Sequence, residues 1–221
     1  MVATATHLAA LAAGPHGFAH ATALATKPLL MPLLAAWAAA RRTPRTARAP
    51  RGLIAALLCG WAGDVLLEVG GTAAFMAGMG CFAAGHVCYL RLFAARGAFR
   101  GTRRALSARY AGYALLWAVM IALLWPGLDP GMRVPVALYS LLLTAMAAGA
   151  SGLGRAVAAG GALFLLSDTL IATGIADWPQ LPRHQVAIML TYAVAQALLA
   201  AGIPAAAVRT APPRAAAEAA A

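Results

Sequence analysis

Two aspartates sit where aspartates are costly. Asp64 falls inside the apolar run "GLIAALLCGWAGDVLLEV" and Asp168 inside "GGALFLLSDTLIATG". An ionisable group near the centre of a membrane helix costs roughly 2.5–3.5 kcal/mol on insertion scales, so such groups usually face a partner or a cavity. Asp64 lies six residues before Gly70 and Asp168 six before Gly174, the glycines that end the two runs. At 1.5 Å per helical residue, both lie about 9 Å inside the same boundary. Two carboxylates that face each other in a low-dielectric site do not both ionise cheaply. An acid paired with a carboxylate is the apparatus of general acid/base work.

Other polar residues share that depth. Lys27 stands nine residues into the run that begins near Phe18, and it is the only lysine beside sixteen arginines. Its compact ammonium is chemically unlike a guanidinium. Tyr192 is eight residues into the last run, with Gln196 one turn deeper on the same face. Glu68 is one helical turn from Asp64 and shares its face. The expectation is a polar pocket opening toward one half of a membrane, with His86 and Tyr89 along its floor and Ser167 beside Asp168. Two plainer readings stay open at this level. The aspartates are also consistent with independent burial and local hydrogen bonds such as one from Ser167, and Lys27 with a side chain that snorkels to an interface.

These residues need helices to hold them. The chain has 221 residues, 62% hydrophobic and only 10% charged, with mean hydropathy +0.78. A soluble domain is about 25% charged, so an all-α polytopic membrane bundle is expected. A span needs about 20 apolar residues. Seven runs qualify: 18–40, 52–69, 73–93, 110–125, 133–149, 156–174 and 184–208. Val2–Ala13 is apolar but short, and Gly14-Pro15 breaks it. A degenerate first span, a re-entrant piece and a frayed tail all fit that segment. Residues 209–221 read as a disordered tail, which leaves 18–208 as the membrane domain.

The net charge of +11 does not indicate nucleic acid. The arginines cluster between apolar runs, in 41–51 and in 96–109, with no nucleic-acid-binding motif beside them. With alternating spans, both clusters, Arg155 and the Arg209/Arg214 tail fall on one side. The positive-inside rule then places that side and the C-terminus in the cytoplasm, as for a protein of the bacterial cytoplasmic membrane. Cys59, Cys81 and Cys88 all lie in apolar runs and read as small buried hydrophobes rather than a disulfide framework or metal site. HExxH, G-x-S-x-G and Walker A motifs are absent, which removes the zinc-hydrolase, serine-hydrolase and P-loop classes those motifs mark.

Five segments occur in order: "KPLLMPLLAAW" from Lys27, "GDVLLE" from Gly63, "FMAGMGCFAAGHVCYL" from Phe75, "GALFLLSDTLIA" from Gly161 and "TYAVAQALLAAG" from Thr191. Together they resemble the YhhN-like lysoplasmalogenase family of polytopic membrane proteins, over Lys27 to Gly202. The family pattern has eight helices, and the segment before Lys27 is too short to supply the first, as in an N-terminally truncated relative. The resemblance implies hydrolysis of the vinyl ether bond of lysoplasmalogens to a fatty aldehyde and a glycerophospho-base, with a lysophospholipid taken from the bilayer. That chemistry calls for no cofactor or metal. It implies Asp64 and Asp168 as the catalytic pair. Lys27, Glu68, His86, Tyr89, Ser167, Tyr192 and Gln196 are the accompanying substrate-binding candidates. The rival is a proton-coupled transporter, because intramembrane carboxylates also build proton relays; no internal repeat of the carrier type is visible in its favour.

Overall fold

In a computed structural model, the structure describes the backbone of residues 18–41 and 50–209 and the side chains of residues 29–41 and 50–206. Among the described residues there are seven helices and no strand: α1 (Phe18–Ala40), α2 (Arg51–Val69), α3 (Thr72–Ala95), α4 (Arg103–Leu124), α5 (Pro130–Ala150), α6 (Arg155–Ile175) and α7 (His184–Arg209). Six of them, α2 to α7, are long and apolar enough to cross a bilayer. In α1 the side chains are described from Leu29 onward, and Leu29–Ala40 is apolar. The expected all-helical class is therefore present, with six candidate membrane spans among the described residues. Lys27 lies in α1, but its side chain falls outside the described residues, as do residues 1–17 and the tail after Arg209.

Local chemistry sets the helix ends. The α2–α3 link is Gly70-Gly71, at φ 79° and 80°, a pair of left-handed residues that only glycine adopts cheaply. This makes α2 and α3 an antiparallel hairpin. Helix α4 begins at Arg103 and not at Tyr110, where hydropathy alone starts it. The Thr102 hydroxyl accepts a hydrogen bond from the Ala105 amide at 3.3 Å, so the cap decides the start. Arg103, Arg104 and Arg109 are thus helical and not in a loop. Helix α5 starts at Pro130, where a missing amide hydrogen costs nothing.

Six helices close a ring in the order α1, α2, α3, α5, α6, α7, with α7 returning to α1. Helix α4 stands outside it, packed mainly on α5. The tightest contacts rest on glycine. A Cβ on Gly160 would lie 2.9 Å from Leu199, and one on Gly161 2.6 Å from Ala150. One glycine pair therefore admits α7 on one flank of α6 and α5 on the other, as close packing of membrane helices requires. The interior holds Leu53, Leu57, Phe93, Phe164 and Leu199, while Leu115, Leu138, Leu166 and Leu190 are exposed, as suits a surface facing lipid. Arg41 stacks on Trp37 at one end of the bundle and Arg133 on Trp125 at the other, at 4.5 and 5.7 Å. Such pairs belong at membrane–water interfaces.

Candidate active site

The two aspartates come from α2 and α6, and each receives a phenol. Asp64 is buried. Its carboxylate accepts a hydrogen bond from the Tyr192 hydroxyl on α7 at 3.0 Å. Gln196, one turn further along α7, donates its amide to the Tyr192 oxygen at 3.4 Å. The Tyr89 hydroxyl on α3 donates to the other end of Gln196 at 2.6 Å. This places three donors in series, all directed toward Asp64.

Asp168 has a parallel arrangement. The Tyr139 hydroxyl on α5 donates to its carboxylate. His86 Nε2 lies 3.2 Å from the same phenol oxygen. Tyr139 has one hydroxyl hydrogen, directed to Asp168, so its oxygen accepts from His86. That fixes the imidazole proton on Nε2 and leaves Nδ1, which is buried without a hydrogen-bond partner. His86 is also packed edge-on against Phe164, at 5.0 Å between ring centres. Phe164 in turn meets Tyr192 at 5.4 Å, so aromatic packing joins the two arms.

A cavity of about 590 Å³ lies between α2, α6 and α7 and receives both carboxylates. Its lining also includes Glu68, Ser167, Tyr192 and, toward the arginine-poor end, His184 and Gln180. Asp64 and Asp168 are close enough there to interact electrostatically. A second chamber of about 450 Å³, almost wholly apolar, lies between α3, α4, α5 and α6. Asp168 borders both spaces, whereas Asp64 borders only the first.

The sequence-derived set divides accordingly. Asp64, Asp168, Glu68, Ser167 and Tyr192 surround one cavity. His86, Tyr89 and Gln196 line neither space and instead stand behind the phenols. Ser167 uses its hydroxyl hydrogen on the Ile188 carbonyl at 3.1 Å, which pins α6 to α7. Cys59, Cys81 and Cys88 are free and half-buried, and among the described residues no group of three or more His, Cys, Asp or Glu could hold a metal ion. Tyr139 was not in the set. It lies in the same layer as Tyr192, nine residues from the start of α5, and a depth comparison of phenols as well as charges would have found it.

The YhhN family profile matches residues 22–203. The chain belongs to the YhhN family. Among curated relatives, human lysoplasmalogenase TMEM86B is 34% identical over 148 residues, 65% of this chain and 59% of that protein. Pig lysoplasmalogenase TMEM86B is 32% identical over 153 residues, 67% of this chain and 61% of that protein. The chain thus spans about three fifths of the curated relatives it matches. No solved structure matches it. Glycine has a direct role beside the site: a Cβ on Gly63 would stand 2.6 Å from the Phe82 ring, and Phe82 borders both spaces.

Proposed function

We propose that this YhhN-family protein is a membrane hydrolase that cleaves the vinyl ether bond of lysoplasmalogens. The observation that carries the reading is the pair of intramembrane carboxylates, each held by a phenol, at the meeting of a polar cavity and an apolar chamber. The likeness to two proteins named lysoplasmalogenase supports the bond class.

The bond R–O–CH=CH–R′ is opened by protonating the alkene carbon farther from oxygen. The π electrons form the new C–H bond and leave an oxocarbenium ion. Water adds to that cation and loses a proton to a carboxylate. The resulting hemiacetal collapses to an aldehyde, and the glycerol oxygen takes up the remaining proton. The net change is the addition of one water. Asp168 is the proposed proton donor, because it borders the apolar side where the alkene would lie. Asp64, on the polar side only, is the proposed carboxylate that stabilises the cation and receives the proton from water, as the second carboxylate does in glycoside hydrolysis. Tyr139 and Tyr192 position the two groups. Glu68 and Lys27 are candidates for contact with the head group, and the arginine-rich end with the C-terminus is assigned to the cytoplasm by the positive-inside rule.

The test is aldehyde release from lysoplasmenylethanolamine by protein purified in detergent, with Asp64→Asn and Asp168→Asn in parallel. The reading expects activity in the parent and loss in both folded variants. Full activity in either variant would sink the paired-carboxylate mechanism. Inactivity in detergent, with proton-coupled uptake in sealed vesicles, would establish the transporter instead.

A further inference from the structure

Most of the polar side chains around the apolar chamber are already hydrogen-bonded to protein. Thr144 and Thr169 donate their hydroxyl hydrogens to the carbonyls of Ser140 and Leu165, each at 2.7 Å. Ser140 donates to the Ala137 carbonyl at 3.1 Å. The Trp117 indole on α4 reaches that same carbonyl at 3.3 Å and the Ser140 hydroxyl at 3.1 Å, and so latches α4 to α5. These groups present hydrocarbon to the space, and Asp168 stands at its edge. A polar ligand would lose hydrogen bonds to water there without replacement. A hydrocarbon would lose none.

The shape is also informative. Along α6 the lining runs from Ile175 past Asp168 to Ala162. From Asp168 to Ala162 the rise is about 9 Å at 1.5 Å per residue. Tyr113 and Thr144 lie at the same deep end, and Leu116 and Leu166, on the rim, are exposed to the lipid-facing surface. The chamber and the polar cavity adjoin along Leu67, Phe75, Phe82, Asp168, Ile171 and Ile175, which line both. A volume of about 450 Å³ is near the low end of the ~300–1,000 Å³ of small-ligand pockets, which suits one chain rather than two.

We propose that this chamber holds the single hydrocarbon chain of a lysolipid whose head group occupies the polar cavity, with Asp168 at the neck and Tyr113 and Thr144 limiting the chain length. The inference rests on the hydrolase reading only for which bond is placed at that neck.

The probe is a saturated 1-O-alkyl lysophosphatidylethanolamine with a photoreactive diazirine at the chain end, added to the full chain in phosphatidylcholine nanodiscs. It has no alkene to protonate, so labelling needs no turnover. Labels are expected at the deep end, around Tyr113, Thr144 and Ala162. Unlabelled chains of increasing length then compete at equal mole fraction. Lipid tails are as apolar as the chamber, so the length dependence reports fit, and a chain too long to fit should compete roughly tenfold or more weakly. Tyr113→Ala should move that cutoff to longer chains and Thr144→Phe to shorter ones. Labels scattered over the outer surface, equal labelling by a diacyl lipid with the same diazirine, or a cutoff unmoved in both folded variants would overturn the proposal. If a variant fails to fold, the labelling map of the parent still decides. Labelling at the deep end without vinyl ether cleavage would support the chain site and remove the hydrolase reading. Cleavage with labels elsewhere would do the reverse.

Discussion

The two aspartates have similar first partners and different support. On the Asp64 side, Tyr192, Gln196 and Tyr89 form a series in which every donor has an acceptor. On the Asp168 side, the series stops at His86, whose second nitrogen is buried and bare. The Asp64 arm reaches across the ring, from α2 and α3 to α7, whereas the Asp168 arm joins the neighbouring helices α3, α5 and α6. The Asp168 arm borders a chamber whose outer wall, α4, is held mainly by α5. Both carboxylates are held by phenols, but Asp64 borders the polar cavity alone and Asp168 also faces the space where a substrate chain would move. A catalytic pair needs both properties: one charge held in place, and one group within reach of an incoming carbon.

The sharpest way to break the comparison is at the carboxylates. Asp168→Asn and Asp64→Asn should each lower the turnover of a vinyl ether lysolipid by about 100-fold or more, the usual scale for positioned acid/base groups. Aldehyde release by folded protein measures it. Next come the phenols. On the proposed roles, Tyr192→Phe removes a hydrogen bond to the charged Asp64, worth about 1.5–3 kcal/mol, and Tyr139→Phe one to the neutral acid Asp168, worth about 0.5–1.5 kcal/mol. Turnover should fall roughly tenfold or more in Tyr192→Phe and by less in Tyr139→Phe, mainly in kcat, because the phenols position groups that act in the chemical step.

The supporting residues should separate the arms by stability. Gln196→Leu leaves Tyr89 buried without its acceptor and should cost about 1–3 kcal/mol. His86→Leu removes an imidazole that already carries one bare nitrogen, and its cost should be smaller, about 1 kcal/mol or less. Thermal unfolding in detergent reads both, and equal losses would remove the distinction between the arms. Another contrast is steric. Gly63→Ala drives a methyl into Phe82 and should cost about 1–3 kcal/mol through overpacking. Gly80→Ala meets nothing within 4 Å and should be neutral or stabilise α3 by up to about 1 kcal/mol.

Much of this arrangement was legible before any coordinates. The apolar runs found the helices, because lipid imposes one strong rule on every span. Equal depth in sequence brought Asp64, Asp168 and Tyr192 toward one layer. Hydropathy could not find the start of α4, because Thr102 caps the helix ahead of its apolar part. Tyr139 escaped because a tyrosine within a span is unremarkable until its hydroxyl is seen beside a carboxylate. His86 and Gln196 were noticed as polar residues, but spacing along a helix does not say whether a side chain lines a cavity or stands behind the one that does. Trp117 was invisible for a related reason: its importance lies in a bond to a neighbouring helix.

The position of α4 outside the ring bears on what happens after the bond breaks. On the proposed reading, the two products differ sharply in solubility, one an oily and reactive carbonyl compound and the other freely water-soluble. The polar cavity reaches the arginine-poor end at Gln180 and Gln185, while the chamber has a rim at Leu116 and Leu166 on the lipid face. The fragments would then depart by separate exits, one to water and one sideways into the bilayer. Neither would have to cross the other's medium.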